Sequence, residues 1–274
     1  MRCSRRGPSD SVHSRYPLRV ITVILCTALS TAVFLKIWGL STRVYRNVIK
    51  ELRGDSMVCI LPVGSFEQHG PHLPPTVDAE IAQHVANALG ERIGAVVLPP
   101  LFYTCSDEHK GFPQTISVSC RHFIPYLEDV VRSAAEKCGV VIVVVGHGGV
   151  WEAVNMVTQQ INYAMGPVAL AVNIWAYAAP RDHAGTDETS IYLAAGGRLI
   201  GEMPEVCEGD VSLFGKMPVH AFSSTGIVGC LKPSEVSPER GRAILDKALE
   251  KIMKKVEEFL ALTAHISSAP RRAF

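Results

Sequence analysis

Two histidines and two carboxylates fall within twelve residues of this 274-residue chain: Glu67, His69, His72 and Asp78, in the stretch Val63-Gly64-Ser65-Phe66-Glu67-Gln68-His69-Gly70-Pro71-His72-Leu73-Pro74 and just beyond it. Imidazole nitrogens and carboxylate oxygens together suit Zn, Mn or Fe(II). Packing so many of them into one turn costs solvation unless something binds there. In extended backbone, residues two apart point to the same side, so Glu67 and His69 face one volume and Gln68 points away. The odd spacing of His72 from His69 turns it elsewhere, into a structural role. Asp78 closes the site from the start of the next helix.

Other candidates follow in later segments: His147 in Gly146-His147-Gly148-Gly149, His183 with Glu188 behind it, and Asp107 and His109 in a polar loop. An ion held by such donors lowers the pKa of bound water to about 7 and polarises a carbonyl. That chemistry suits hydrolysis at a carbonyl, with hydroxide on the ion as nucleophile. His183 is the candidate for passing a proton to the leaving group, since an imidazole titrates near working pH. Glu188 either orients His183 or adds a ligand, although a carboxylate in a helix's first turn is also favoured by the dipole alone.

The elements that must position these groups can be read from periodicity. Met57–Pro62 is a short apolar strand ended by Gly and Pro, and Val140–Val145 is an unbroken β-branched run of the kind found in a buried parallel strand. Ala95–Leu98 and Val168–Ile174 are further strands. Helical spacing predicts helices over 41–53, 79–93, 123–137, 151–165, 187–200 and 239–262, with 175–184 as a loop. Residues 203–236, rich in Gly, Pro and Ser, read as surface loops that wall a pocket. Alternating strands and helices predict an α/β fold, a three-layer α/β/α sandwich on a mostly parallel sheet, with ligands at the carboxyl ends of the strands. Glu67, His69, His147 and His183 all fall after expected strands.

With 47% hydrophobic and 19% charged residues the chain reads as globular, and a formal net charge of +1 offers no basic surface for nucleic acid. Its ligand is a small molecule. The eight cysteines show no CxxC pair, and free, mostly buried thiols are expected.

Residues 1–39 carry Arg2, Arg5, Arg6 and Arg15 before the apolar run Val20–Leu35, then Lys36. Three readings stay open: a single-span membrane anchor over about residues 18–40 with its arginine-rich end in the cytoplasm, a cleavable signal peptide, or an over-long start ahead of a cytoplasmic enzyme. The expected catalytic domain spans 40–264, with 265–274 a tail.

At these motifs the chain resembles the creatininase (creatinine amidohydrolase) family. The resemblance rests on Gly64 to Pro74 with Asp78, on Gly111-Phe112-Pro113-Gln114-Thr115-Ile116-Ser117, on Gly146-His147-Gly148-Gly149, and on His183-Ala184-Gly185 followed by Glu188-Thr189-Ser190. It implies a metal-dependent hydrolase of C–N bonds in cyclic amides, formamides or small peptides. It also implies a dinuclear centre in which Glu67 and His147 hold one ion, His69 the other, and Asp78 bridges. Gly148 and Gly149 with Asp107 and His109 would meet substrate, in a homo-oligomer that is often a hexamer. Creatininase proper carries a metal-binding glutamate at the position of Gly149, which speaks against creatininase activity itself. The competing reading is a non-catalytic metal- or ligand-binding member of the same fold, tethered to a membrane.

Overall fold

A computed structural model describes residues 57–180 and 182–268. The expected helix over 41–53 and the apolar segment 18–40 lie outside the described residues. Among those described, no helix is long and apolar enough to cross a membrane.

Four parallel strands form the central sheet: β1 (Val58–Val63), β2 (Val96–Val97), β3 (Val140–Val145) and β4 (Ala169–Asn173). Their order is β2-β1-β3-β4, so the chain leaves β1 for one edge and then crosses back to the other side of β1. The switch in direction falls between β1 and β3, where a parallel sheet opens a crevice at its carboxyl ends. Strand residues alternate between two apolar layers, as the two-residue period requires. Ile60, Ile142, Val144 and Val172 pack with Val77, Ile81, Val85 and Leu89 of α1 (Val77–Ile93), Ile191 of α5 (Thr186–Ala194) and Leu245, Ile252 and Val256 of α6 (Pro238–Ser268). Leu61, Val63, Val141, Val143 and Val145 pack with Phe123, Leu127 and Val131 of α2 (Cys120–Cys138) and Val154, Val157 and Ile161 of α3 (Trp151–Met165). The fold is the three-layer α/β/α arrangement expected.

Several local expectations change. Residues 175–184 are not wholly loop, because α4 (Ile174–Ala178) forms where the Asn173 side chain caps the Trp175 amide. Helix α5 stops at Ala194 rather than near 200, with Gly196 in the left-handed region (φ 92°) just past its end. Helix α6 runs on to Ser268, into the segment read as a tail. The 203–236 region carries a two-stranded antiparallel pair, β5 (Val206–Glu208) and β6 (Gly229–Leu231), and buries Val219, Ile227, Val228 and Leu231.

The expectation of free thiols is corrected. Cys59–Cys138, Cys105–Cys120 and Cys207–Cys230 are disulfides, the first spanning 79 residues. Spacing gave no sign of them, because β1 meets the end of α2, and β5 meets β6, only once the sheet is formed. A disulfide stabilises by about 2–4 kcal/mol, chiefly by restricting the unfolded chain. Full reduction is therefore expected to lower the melting temperature by roughly 2–4 °C per kcal/mol lost. Thermal unfolding with and without reductant checks this, and equal transitions would show the bridges to be energetically idle.

Candidate active site

The site lies at the β1–β3 crevice. After β1 the chain enters a tight turn in which His69 bridges to Leu73 and Gly70 takes a φ of 66°. This places Glu67 and His69 over the strand end, both buried. Asp78 comes from the first turn of α1, as expected, and the helix packs there because two glycines admit it. A Cβ at Gly64 would lie 2.2 Å from Ala79 N, and one at Gly146, after β3, 2.3 Å from Asp78 O. Both are closer than any real Cβ contact.

The Asp78 carboxylate faces two histidines at once. Its Oδ1 is 3.3 Å from His69 Nε2, and its Oδ2 is 3.0 Å from His147 Nδ1. Ser65 Oγ donates to Oδ2 at 2.9 Å. Each imidazole presents one nitrogen inward because the other is engaged by backbone: His69 Nδ1 donates to the Glu67 carbonyl at 3.1 Å, and His147 Nε2 to the Cys105 carbonyl at 3.0 Å. Such outer contacts fix the tautomer and aim of a metal-binding histidine. Glu67 Oε2 lies 3.3 Å from His147 Nδ1, and Glu188 Oε1 3.9 Å from His69 Nε2.

Three sets of donor atoms come within 4.8 Å of one another: Glu67 with Asp78 and His147, His69 with Asp78 and Glu188, and Glu67 with His69 and His183. Asp78 is common to the first two. Glu67 Oε2 and His69 Nε2 are buried and have no hydrogen-bond partner among the described residues. Unpartnered inward atoms on a carboxylate and an imidazole are what an ion would satisfy, so the residues present fit a divalent metal.

Without an ion the electrostatics are those of a compressed charge cluster. Burial opposes a charge on His69, but the Asp78, Glu188 and Glu67 carboxylates outweigh it and lift the imidazole to about 10. His147 is likewise raised against its burial, by Glu67 and Asp78. Glu188 is pushed up to about 8, first by burial and then by Asp78. At pH 7 these three groups hold protons that an ion must displace. Ion binding should therefore release protons, and affinity should rise about tenfold per pH unit for each proton released. Calorimetric titration in buffers of different ionisation enthalpy measures the number; a value of zero would contradict this charge state.

Behind the donor set sits a second cluster. His183 is neutral, held down to about 3 by burial and by His69, and its Nδ1 lies 3.7 Å from Glu188 Oε2. His109 is also held neutral by burial and its histidine neighbours, with its Nε2 3.5 Å from Glu67 Oε1. Gln68, expected to point away, is buried and holds both: its amide nitrogen is 2.9 Å from His109 Nδ1 and 3.1 Å from His183 Nε2. His183, expected directly after a strand, instead follows helix α4 and is fixed by backbone pairing with Val228 and by the left-handed Ala184 (φ 53°). Backbone strain of this kind gathers at functional sites.

A cavity of about 510 Å³ opens over the donors, lined by Glu67, Asp78, His147, Gly148, Gly149, His109, His183 and Glu188, and walled by Trp175 and Phe214. Phe214 comes from the Gly- and Pro-rich region expected to form a wall. Asp107, expected at the substrate, is not brought there. Its exposed carboxylate bonds Lys110 and Ser117 instead, because the 3-10 turn Asp107–His109 points it outward. His72 leaves the site too, its Nε2 2.9 Å from Thr189 Oγ1 on α5. The sequence reading missed Gln68, Glu108, Glu152 and Trp175. Of these only Glu108, beside His109 in a motif already singled out, carried a signal.

Known proteins resemble this chain in sequence and in fold. The family model for creatinine amidohydrolase matches residues 45–256. The mycofactocin precursor peptide peptidase of Mycolicibacterium smegmatis is 33% identical over 210 residues, covering 71% of this chain and 82% of that protein. The creatinine amidohydrolase of Pseudomonas putida is 25% identical over 232 residues, 73% of this chain and 89% of that protein. A solved creatininase mutant described as Zn–Zn type superposes with a TM-score of 0.63 at 22% identity, over 80% of this chain and 96% of its own.

Proposed function

Because the chain belongs to the creatininase family, whose members are metal-dependent hydrolases of C–N bonds, we propose that it cleaves an amide bond in a small molecule or short peptide at a centre of two divalent ions. The observation that carries this reading is the Asp78 carboxylate, with each oxygen turned to a different histidine. Glu67, Asp78 and His147 would hold one ion and His69, Asp78 and Glu188 the other. Bound there, a divalent ion supplies Lewis-acid polarisation of the carbonyl and an activated water. Zn, Mn and Fe(II) all suit this donor set.

The chain's own groups do the rest. His69 and His147 are aimed by backbone carbonyls, and Ser65 steadies the shared carboxylate. His183, held by Gln68 in the cavity lining, is assigned to pass a proton to the leaving nitrogen, although burial and His69 keep its resting imidazole neutral. Trp175, anchored by its indole N–H to the Gly146 carbonyl, and Phe214 form an apolar wall that limits water. His109, Gly148 and Gly149 line the space where substrate would sit.

The lining also holds Glu108, Glu152 and Asp182 and, among the described residues, no Lys or Arg. That charge pattern favours neutral or cationic amides over phosphorylated ones. The family's oligomeric habit is carried over as a homo-oligomer, which light scattering measures directly. Three disulfides support folding in an oxidising compartment.

The test is metal analysis of the purified chain joined to a screen of formamides, lactams and short peptides. Two ions per chain with turnover of a neutral or basic amide is the expected result. Full metal content without turnover of any amide would favour the non-catalytic reading, and absence of bound metal would overturn both.

A further inference from the structure

Behind the donor set, the buried Gln68 has more neighbours than its amide can serve. Its orientation is fixed at one end, where Oε1 accepts from the Gly70 amide at 2.9 Å, so the NH2 group faces the other way. Three partners meet it there: His109 Nδ1 at 2.9 Å, the Gly226 carbonyl at 3.0 Å and His183 Nε2 at 3.1 Å. An amide nitrogen has two hydrogens to give. One of the three contacts is therefore not a hydrogen bond donated by Gln68.

The backbone decides which one. A carbonyl can only accept, so the buried Gly226 oxygen takes one amide hydrogen. His183 Nε2 also lies 3.1 Å from the backbone carbonyl of Gln68 itself. Only a hydrogen on Nε2 satisfies that contact, and a nitrogen that carries one cannot accept another from the side chain. The second amide hydrogen then goes to His109 Nδ1. Because a neutral imidazole has a single N–H, His109 carries its hydrogen on Nε2, which faces Glu67 Oε1 at 3.5 Å. His183 keeps Nδ1 bare, 3.7 Å from Glu188 Oε2. The network thus assigns both tautomers. Glycine at 226 serves the same arrangement, since a Cβ there would lie 1.9 Å from Gln68 Oε1 and 3.0 Å from its Nε2 and would push the amide out of place.

We infer that Gln68 is a positioning residue that gives the two histidines different tasks: its side chain turns the His109 N–H toward Glu67, and its backbone carbonyl holds His183 by Nε2, leaving Nδ1 as the nitrogen that handles the proton. This rests on the amide-hydrolase reading given under Proposed function. In that reaction the proton released by the attacking water is taken up on His183 Nδ1. The same atom gives it to the leaving nitrogen as the C–N bond breaks, while the Nε2 hydrogen stays on the Gln68 carbonyl.

The test is NMR of isotopically labelled imidazole nitrogens in the full chain, ion-free and loaded with Zn, with signals assigned from His109→Asn and His183→Asn. The expected result is a hydrogen on Nε2 and none on Nδ1 for both histidines. In Gln68→Glu, whose carboxylate accepts where the amide donated, a hydrogen is expected on His109 Nδ1 while His183 keeps its own on Nε2. His72, bonded to Thr189 away from the site, should give unchanged signals, which separates this outcome from misfolding. A hydrogen on His183 Nδ1 in the parent chain would overturn the assignment of the working nitrogen, and an unchanged His109 in Gln68→Glu would overturn the role of the side chain. If Gln68→Glu does not fold, the parent spectra decide alone. A parent chain that binds no Zn would overturn the metal-centre reading instead, and its ion-free spectra still test the tautomers.

Discussion

Asp78→Ala is expected to lose both ions and nearly all turnover. The Asp78 oxygens face His69 and His147 separately, and Asp78 is the residue shared by the two donor sets that also hold those histidines. Its removal therefore strips both of those sets to two donors and leaves only the Glu67, His69 and His183 set, which engages neither His147 nor Glu188. A divalent ion contributes several kcal/mol to charge stabilisation in amide hydrolysis. At about 1.4 kcal/mol per tenfold, kcat/KM should fall roughly 10³-fold or more. His69→Ala should lose the ion it shares with Asp78 and Glu188 while leaving the His147 set intact, a smaller loss of metal but a comparable loss of turnover. Elemental analysis alongside kinetics checks both. Full metal content in Asp78→Ala would remove the bridging role.

Gly146→Ala should damage the same site from behind. The added Cβ would sit 2.3 Å from the Asp78 carbonyl oxygen and 3.0 Å from Ala82 Cβ, so α1 must move off the sheet. Overpacking of this kind costs about 1–3 kcal/mol, and for a domain of this size each kcal/mol lowers the melting temperature by about 2–4 °C. Because the backbone displaced is that of Asp78 itself, ion affinity should fall with stability. Gly64→Ala, pressed against Ala79 N, should behave alike. Gly148→Ala is the control, since its Cβ would find only Trp175 Cδ1 at 3.8 Å. Melting temperature and metal content measured together decide the matter; a stable, fully metallated Gly146→Ala would show that α1 does not need this close approach.

The sheet and its flanking helices were legible from residue order because their signals are local. The β-branched run Val140–Val145 is β3 and the apolar periodicity of Trp151–Met165 is α3, each with the bounds expected. The disulfides were not legible, since Cys59 and Cys138 meet only across a finished sheet and helix. Loop side chains were legible in part. Glu67 and His69 both reach one donor set with His183, but Gln68 was turned away by a rule for extended backbone, whereas the His69–Leu73 turn carries it inward to His109 and His183.

Residue types and their spacing were enough to say that this chain has a parallel α/β fold and a cluster of imidazoles and carboxylates suited to divalent metal. Those properties follow from hydrophobic period and from donor chemistry, both written in neighbouring residues. Which oxygen of Asp78 faces which histidine, why Asp107 leaves the site while Glu108 fills the space beside Gly149, and which cysteines pair all depend on segments tens of residues apart. Their contacts exist only after β1 and β3 bring the loops at their carboxyl ends to one crevice, and no local pattern encodes that distance.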